Sequence, residues 1–286
     1  MTTPTQPQFS QMLLDAETKW ARHLALLDGD SAYRLRGSNM DWLPRDEYAH
    51  HWRWLAHELA VARARVQGVT PPRISNVDAA NEAWTAEDRS LSLDEARNLA
   101  LAAWDEYLAF VRDLTPEQRE GETLDSFFGT AVVHLDDHLR YMVDGALHDE
   151  SSEWERLTAH LDGRPSGPLY RDDAGGEVTS AATYAHLARW MEVNLDRVQA
   201  FFDTGVVPDL EADVDVLNAR WAQEDAALTL AESRRRAFLV RDRFMGQMRG
   251  IPIARFTPRL LGMYAGNSWD HYREHLGYTG YTATPL

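Results

Sequence analysis

Six of the eleven histidines fall into two sets with nearly the same spacing. In each set, two histidines are four residues apart, which places both imidazoles on one face of a helix, one turn from each other. A third histidine lies upstream of the pair, by 84 residues in one set and by 85 in the other. The sets are His50, His134 and His138, and His186, His271 and His275. Three neutral imidazoles can hold a divalent metal and leave coordination positions open, as catalytic sites do. We therefore predict two metal sites with these ligands.

The second pair also fits a pattern found in zinc peptidases. His271-Tyr-Arg-Glu274-His275 matches H-x-x-E-H, the inverted zinc-peptidase motif. That chemistry needs a further acidic ligand well downstream, and the eleven residues after His275 contain no acidic side chain. The first pair reads His134-Leu-Asp-Asp-His138 and lacks the glutamate. A peptidase is therefore not expected.

An asparagine precedes a tryptophan by three residues, one turn of a helix, at two places in the chain. These pairs are Asn81 with Trp84, and Asn218 with Trp221. We predict that they line the mouth of a binding pocket, where the amide donates to a bound molecule and the indole stacks on it. The alternative is a packed connection between helices.

Beyond the histidines, the chain repeats itself. Residues 18–138 align with residues 152–275 in the same order, at offsets that grow from 134 through 136 to 137. Tyr48-Ala-His50 matches Tyr184-Ala-His186, and Glu87-Asp88 matches Glu224-Asp225. Several blocks in one order indicate a tandem duplication.

The elements that position these residues are predicted to be helices. Ser92-x-x-Glu95 and Thr229-x-x-Glu232 are capping boxes, which mark two helix starts. The predicted helices span 8–28, 44–67, 93–114, 122–147, 152–162, 178–204, 229–249 and 256–276. No strand is predicted, and Gly163–Gly176 is expected to be a loop. The predicted fold is all-α, with two tandem four-helix bundles (residues 8–148 and 151–277) related by a pseudo-two-fold axis and joined near His148–Ser151.

Composition excludes several classes of function. A net charge of −16 disfavours nucleic acid and anionic membranes as partners. No apolar run approaches the length of a membrane span, and the first residues lack the features of a signal peptide, so a cytoplasmic protein is expected. The chain contains no cysteine, which excludes disulfides, zinc–thiolate sites and cysteine nucleophiles. Lys19 is the only lysine, a bias that suggests a high-GC genome such as that of an actinobacterium.

Each copy resembles the DinB/YfiT-like superfamily of four-helix bundles. The resemblance covers nearly the whole chain and is carried by Trp42-Leu-Pro-Arg-Asp46-Glu-Tyr-Ala-His50, the two Asn…Trp segments, Tyr184-Ala-His186 and the two His-x-x-x-His pairs. It implies that each histidine set binds a divalent metal (zinc, nickel, manganese or iron) at one end of a bundle. It also implies that the two copies could pair as the family's homodimers do, within a single chain. Ala182 stands where the first copy has Asp46, which puts equal activity of the two sites in doubt.

Three functions remain open at this stage. Members of the superfamily include mycothiol- and bacillithiol-dependent thiol transferases and a mycothiol-dependent maleylpyruvate isomerase. The resemblance therefore implies a metal-dependent transferase, or a related isomerase or lyase, that activates a small thiol such as mycothiol for attack on a small electrophile. One alternative is a self-resistance protein similar to the ClbS/DfsB proteins, which hydrolyses or sequesters a reactive natural product. The other is a small-molecule binding protein without catalysis.

Overall fold

The computed structural model describes residues 4–28, 42–119, 125, 127, 129–171 and 176–278. This part of the chain is mostly helical, in agreement with the predicted all-α class. The helices are α1 (Gln6–Asp28), α2 (Pro44–Val66), α3 (Val77–Asp88), α4 (Leu93–Arg112), α5 (His134–Asp162), α6 (Ser180–Thr204), α7 (Val214–Glu224), α8 (Leu230–Arg249), α9 (Pro258–Ala265) and α10 (Trp269–Tyr278). Short 3-10 turns lie at Glu117–Arg119 and Ile253–Arg255, and a π-helical turn at Gly129–Val133 leads into α5. Within the described ranges, no helix has the length and apolar character needed to cross a membrane.

The chain divides into two compact units, Met1–Ala146 and Leu147–Leu286. In the first unit α2 packs along α4, and in the second α6 packs along α8. Each unit has a core with a buried tryptophan near its centre. Trp20 stacks on Trp104 with ring centroids 4.9 Å apart, and Trp154 packs against Tyr272 at 5.1 Å. Trp20 and Trp154 occupy matched positions in the sequence repeat, at the offset of 134.

The helix starts that depend on capping agree with prediction. The Ser92 hydroxyl accepts from the backbone N–H of Glu95, whose side chain accepts from the backbone N–H of Ser92. Thr229 and Glu232 make the same reciprocal pair at the start of α8. These side chains satisfy backbone donors that a helix leaves unpaired in its first turn.

Two short helices, α3 and α7, were not predicted as separate elements. They contain the two Asn…Trp segments and are 12 and 11 residues long. Asn76 caps α3 and Asp213 caps α7 with side-chain oxygens. Few of their residues are buried, so the amphipathic stripe that reveals a longer helix is missing from their sequences.

The predicted interruption between residues 147 and 152 is wrong, because α5 runs without a break from His134 to Asp162. The sequence His148-Asp-Glu-Ser-Ser152 contains no proline or glycine to end a helix. Glu150 within it is fully buried and forms an ion pair with Arg241 of α8. Of the predicted helix 122–147, residues 122–124, 126 and 128 lie outside the described residues.

The predicted absence of strands is also wrong. Strand β1 (Pro168–Arg171) pairs antiparallel with β2 (Glu177–Thr179), so part of the expected loop Gly163–Gly176 is a strand. Strands of four and three residues are too short to show an alternating pattern in sequence. The last predicted helix, 256–276, is two helices, because α9 ends at Ala265 before Gly266.

Candidate metal centres

The first histidine set is assembled from two helices of the first unit. His50 lies in the second turn of α2, which starts at Pro44, a residue suited to the first turn of a helix. His134 is the first residue of α5, immediately after the π-helical turn, and His138 lies one turn further on. Each of the three residues is at least half-buried.

The structure brings these three predicted residues together. The Nε2 atom of His134 lies 2.7 Å from Nε2 of His138 and 3.5 Å from Nε2 of His50. One nitrogen from each ring falls within a group whose members are all within 4.8 Å of one another. Such a group could hold one metal ion.

The second unit contains the equivalent group. His186 lies on α6, and His271 and His275 lie one turn apart on α10. The Nε2 atoms of His186 and His271 are 3.1 Å apart, and one nitrogen from each of the three rings again falls within 4.8 Å of the others.

Burial favours the metal-binding, neutral form of four of these imidazoles. Burial, reinforced by neighbouring histidines, lowers the pKa of His50 to about 2 and that of His134 to about 3. Burial lowers the pKa of His186 to about 4, and burial together with His186 lowers that of His271 to about 3. A neutral imidazole keeps a lone pair for coordination, so these rings fit a divalent cation.

A buried carboxylate, Glu47, adjoins the first set and was not predicted. Its Oε1 atom lies 2.5 Å from Nδ1 of His138, 3.3 Å from Nε2 of His51 and 3.5 Å from Nε2 of His23. Burial opposes its ionisation, but the hydrogen bonds and charges of His138 and His51 hold the pKa of Glu47 well below its ordinary value. With Nδ1 as the donor of this hydrogen bond, the neutral tautomer of His138 has its Nε2 lone pair facing His134. This tautomer is the one that a metal at the three histidines requires.

Glu47, His23 and His51 also form a fully buried group of their own, with a ligand atom from each within 4.8 Å of the others. The sequence alone indicated part of this arrangement. Glu47 precedes His50 by three residues and His51 by four, so all three lie near one face of α2. The neighbouring Asp46, to which the resemblance pointed, instead accepts from the backbone N–H of Leu43 and stabilises the start of α2.

The second unit has no counterpart of the Glu47 group at the matched positions. At the offset of 134, His23 aligns with Leu157, and at the offset of 136, Glu47 and His51 align with Thr183 and Leu187. All three replacements are buried. The Nδ1 atom of His275 instead lies 3.3 Å from the hydroxyl of Tyr170 on β1.

The two asparagines hold tryptophans that border the histidine sets. The indole Nε1 of Trp54 donates to Oδ1 of Asn81, and that of Trp190 donates to Oδ1 of Asn218, both at 3.0 Å. The Trp54 ring is centred 6.3 Å from that of His134. Trp84 and Trp221 pack edge-on against these indoles, at 5.4 and 5.1 Å. The asparagine oxygens thus link α3 to α2 and α7 to α6. Contact of these asparagines and tryptophans with a bound molecule stays a prediction.

Comparisons of this chain with protein family models, with curated proteins and with solved structures found no match.

Proposed function

We propose that the protein is a metal-dependent transferase that activates a small thiol, with mycothiol as the first candidate, for attack on a small electrophile. The proposal includes the tandem arrangement of two DinB-like four-helix bundles, each with one metal site. The observation that carries it is the convergence of three imidazoles in each unit. The sequence resemblance favours thiol chemistry over other uses of such a site.

The reacting sulfur has to come from outside the chain, which contains no cysteine. A bound divalent metal would supply the positive charge that lowers the pKa of a coordinated thiol. The thiol proton passes to solvent, the sulfur forms a bond to the electrophilic carbon, and the leaving group departs with its electron pair. The histidines orient the site, and Trp54 and Trp190 supply apolar surface beside it.

The test is turnover of a simple electrophile, 1-chloro-2,4-dinitrobenzene, by metal-replete protein with and without mycothiol. We expect dinitrophenyl thioether formation only when both metal and thiol are present. His134→Ala should abolish turnover in the first unit and His271→Ala in the second, each with a loss of at least about a hundredfold for the site concerned.

His148→Ala is the matched control, since His148 is an exposed histidine of α5 outside the set. Full turnover without thiol would instead support a hydrolase that uses water. Full turnover in the double variant His134→Ala/His271→Ala would exclude both histidine sets from the reaction.

A further inference from the structure

We infer that the two histidine sets differ in metal affinity, and that Glu47 makes the first set the tighter site for a divalent cation. The inference rests on the metal binding in the proposed function and is independent of the thiol chemistry. Glu47 acts through His138, so it is a positioning residue.

The first step concerns orientation. The hydrogen bond from Nδ1 of His138 to Oε1 of Glu47 is 2.5 Å long and buried. It fixes the orientation of the ring, so Nε2 of His138 points toward Nε2 of His134 before a metal arrives. Carboxylates that accept from the outer nitrogen of a ligand histidine commonly raise metal affinity 10- to 100-fold.

The second step concerns charge. Three neutral imidazoles bring no negative charge to a dication, and burial of an uncompensated charge is unfavourable. The carboxyl group of Glu47 is fully buried, one imidazole away from the converging nitrogens. It therefore offsets part of the charge of a cation bound in the first unit.

The third step is the arrangement that holds Glu47. His23 of α1 and His51 of α2 both face its Oε1 atom, and both imidazoles are buried. The His23 ring stacks on Trp20, with ring centroids 6.0 Å apart. The carboxylate is thus fixed between α1, α2 and α5 and does not depend on a surface side chain.

In the second unit, the described positions that match Glu47, His23 and His51 carry no carboxylate and no imidazole. Thr183, at the position of Glu47, donates its hydroxyl proton to the backbone oxygen of Thr179. Tyr170 faces Nδ1 of His275 with a phenol, which is uncharged and can either donate or accept a hydrogen bond. The hydroxyl of Tyr170 therefore brings no negative charge to His275.

The experiment measures zinc affinity at one site at a time. His271→Ala/His275→Ala leaves only the first set, and His134→Ala/His138→Ala leaves only the second. Apo protein of each variant is titrated with Zn²⁺ against a chromophoric chelator. We expect the first set to bind at least tenfold more tightly than the second. Equal affinities, or a tighter second set, would overturn the inference.

Glu47→Gln then tests the residue itself. In the variant that retains the first set, we expect a 10- to 100-fold loss of zinc affinity. In the variant that retains the second set, the same change should leave the affinity as it was, which is the matched control. Glutamine is isosteric and still accepts from His138, so the far-UV circular dichroism of the apo protein should be unchanged. An unaltered first-site affinity in Glu47→Gln would remove the role given to Glu47.

The comparison of zinc affinity between the two sets uses variants that retain Glu47. It therefore remains valid even if Glu47→Gln fails to fold. Two sites of equal affinity would overturn this inference and leave thiol transfer standing. No zinc uptake at either set would overturn both. Unequal metal affinities without thiol-dependent turnover would overturn only the proposed function.

Discussion

At the scale of single residues, the two units share side-chain contacts as well as sequence. Arg53 forms a bidentate pair with Asp88, at 3.0 and 2.7 Å, and Arg189 forms one with Asp225, at 2.9 and 2.9 Å. Both arginines lie three residues after the upstream histidine of their set, so these pairs tie α2 to the end of α3 and α6 to the end of α7. The sequence match between Glu87-Asp88 and Glu224-Asp225 predicted the equivalence, but not the partner.

Asp225→Asn should destabilise the protein in a pH-dependent way. Hydrogen bonds and charge from Arg189, helped by Arg236, hold the pKa of Asp225 below its ordinary value in spite of burial. Because the folded-state pKa is the lower one, the stabilisation is present above the unfolded pKa and is lost as pH falls through the folded pKa. We expect the free energy of unfolding to fall by about 1 kcal/mol at neutral pH, and by less below about pH 4. Urea unfolding followed by circular dichroism measures this difference.

Glu224→Gln is the matched control for that change. Glu224 contacts the same arginine, but its side chain is 47% exposed. An exposed ion pair contributes little, so a change below about 0.5 kcal/mol is expected at every pH. An equal effect of the two substitutions would contradict the role given to the buried pair.

At the scale of elements, local signals predicted most helix bounds to within two residues, but missed where helices are interrupted. The capping boxes at Ser92 and Thr229 could be read from the sequence, because a capping box joins two residues that are only three positions apart. The predicted break near residues 148–151 does not occur, because Glu150 is packed against α8, and the break after Ala265 at Gly266 was not predicted. The histidine sets could be predicted because residues four apart share one face of a helix, and because the sequence repeats after about 137 residues. Glu47 was not, because its partner His138 is 91 residues away.

Ser92→Ala should lower the free energy of unfolding by about 1 kcal/mol, since it removes the acceptor for the backbone N–H of Glu95. Thr229→Ala should have a similar effect on α8. Ser90→Ala changes an exposed serine between α3 and α4, away from the cap, and should alter stability by less than about 0.5 kcal/mol. Chemical denaturation gives all three values, and equal losses at Ser90 and Ser92 would argue against the cap.

At the scale of the whole molecule, each compact unit contains one complete histidine set. A ligand that binds only the folded state stabilises it in proportion to the logarithm of its concentration over the dissociation constant. Adding Zn²⁺ at about a hundredfold excess over that constant should therefore stabilise a unit by about 2.7 kcal/mol. Thermal unfolding of the apo protein, with and without zinc, measures the shift. The double variant His134→Ala/His271→Ala should show no upward shift, and a shift that persisted would place the bound ion elsewhere.

The replacement of Glu47, His23 and His51 by Thr183, Leu157 and Leu187 also constrains the order in which mutations could make the second unit resemble the first. Glutamate introduced at residue 183 alone would be a buried carboxylate with one of its three histidine partners in place, His275, while Leu157 and Leu187 occupy the positions of the other two. Histidine introduced alone at either leucine would bury an imidazole without its carboxylate partner. The favourable order is therefore the glutamate first and the two histidines after it, because each buried imidazole gains a partner only once the carboxylate is present.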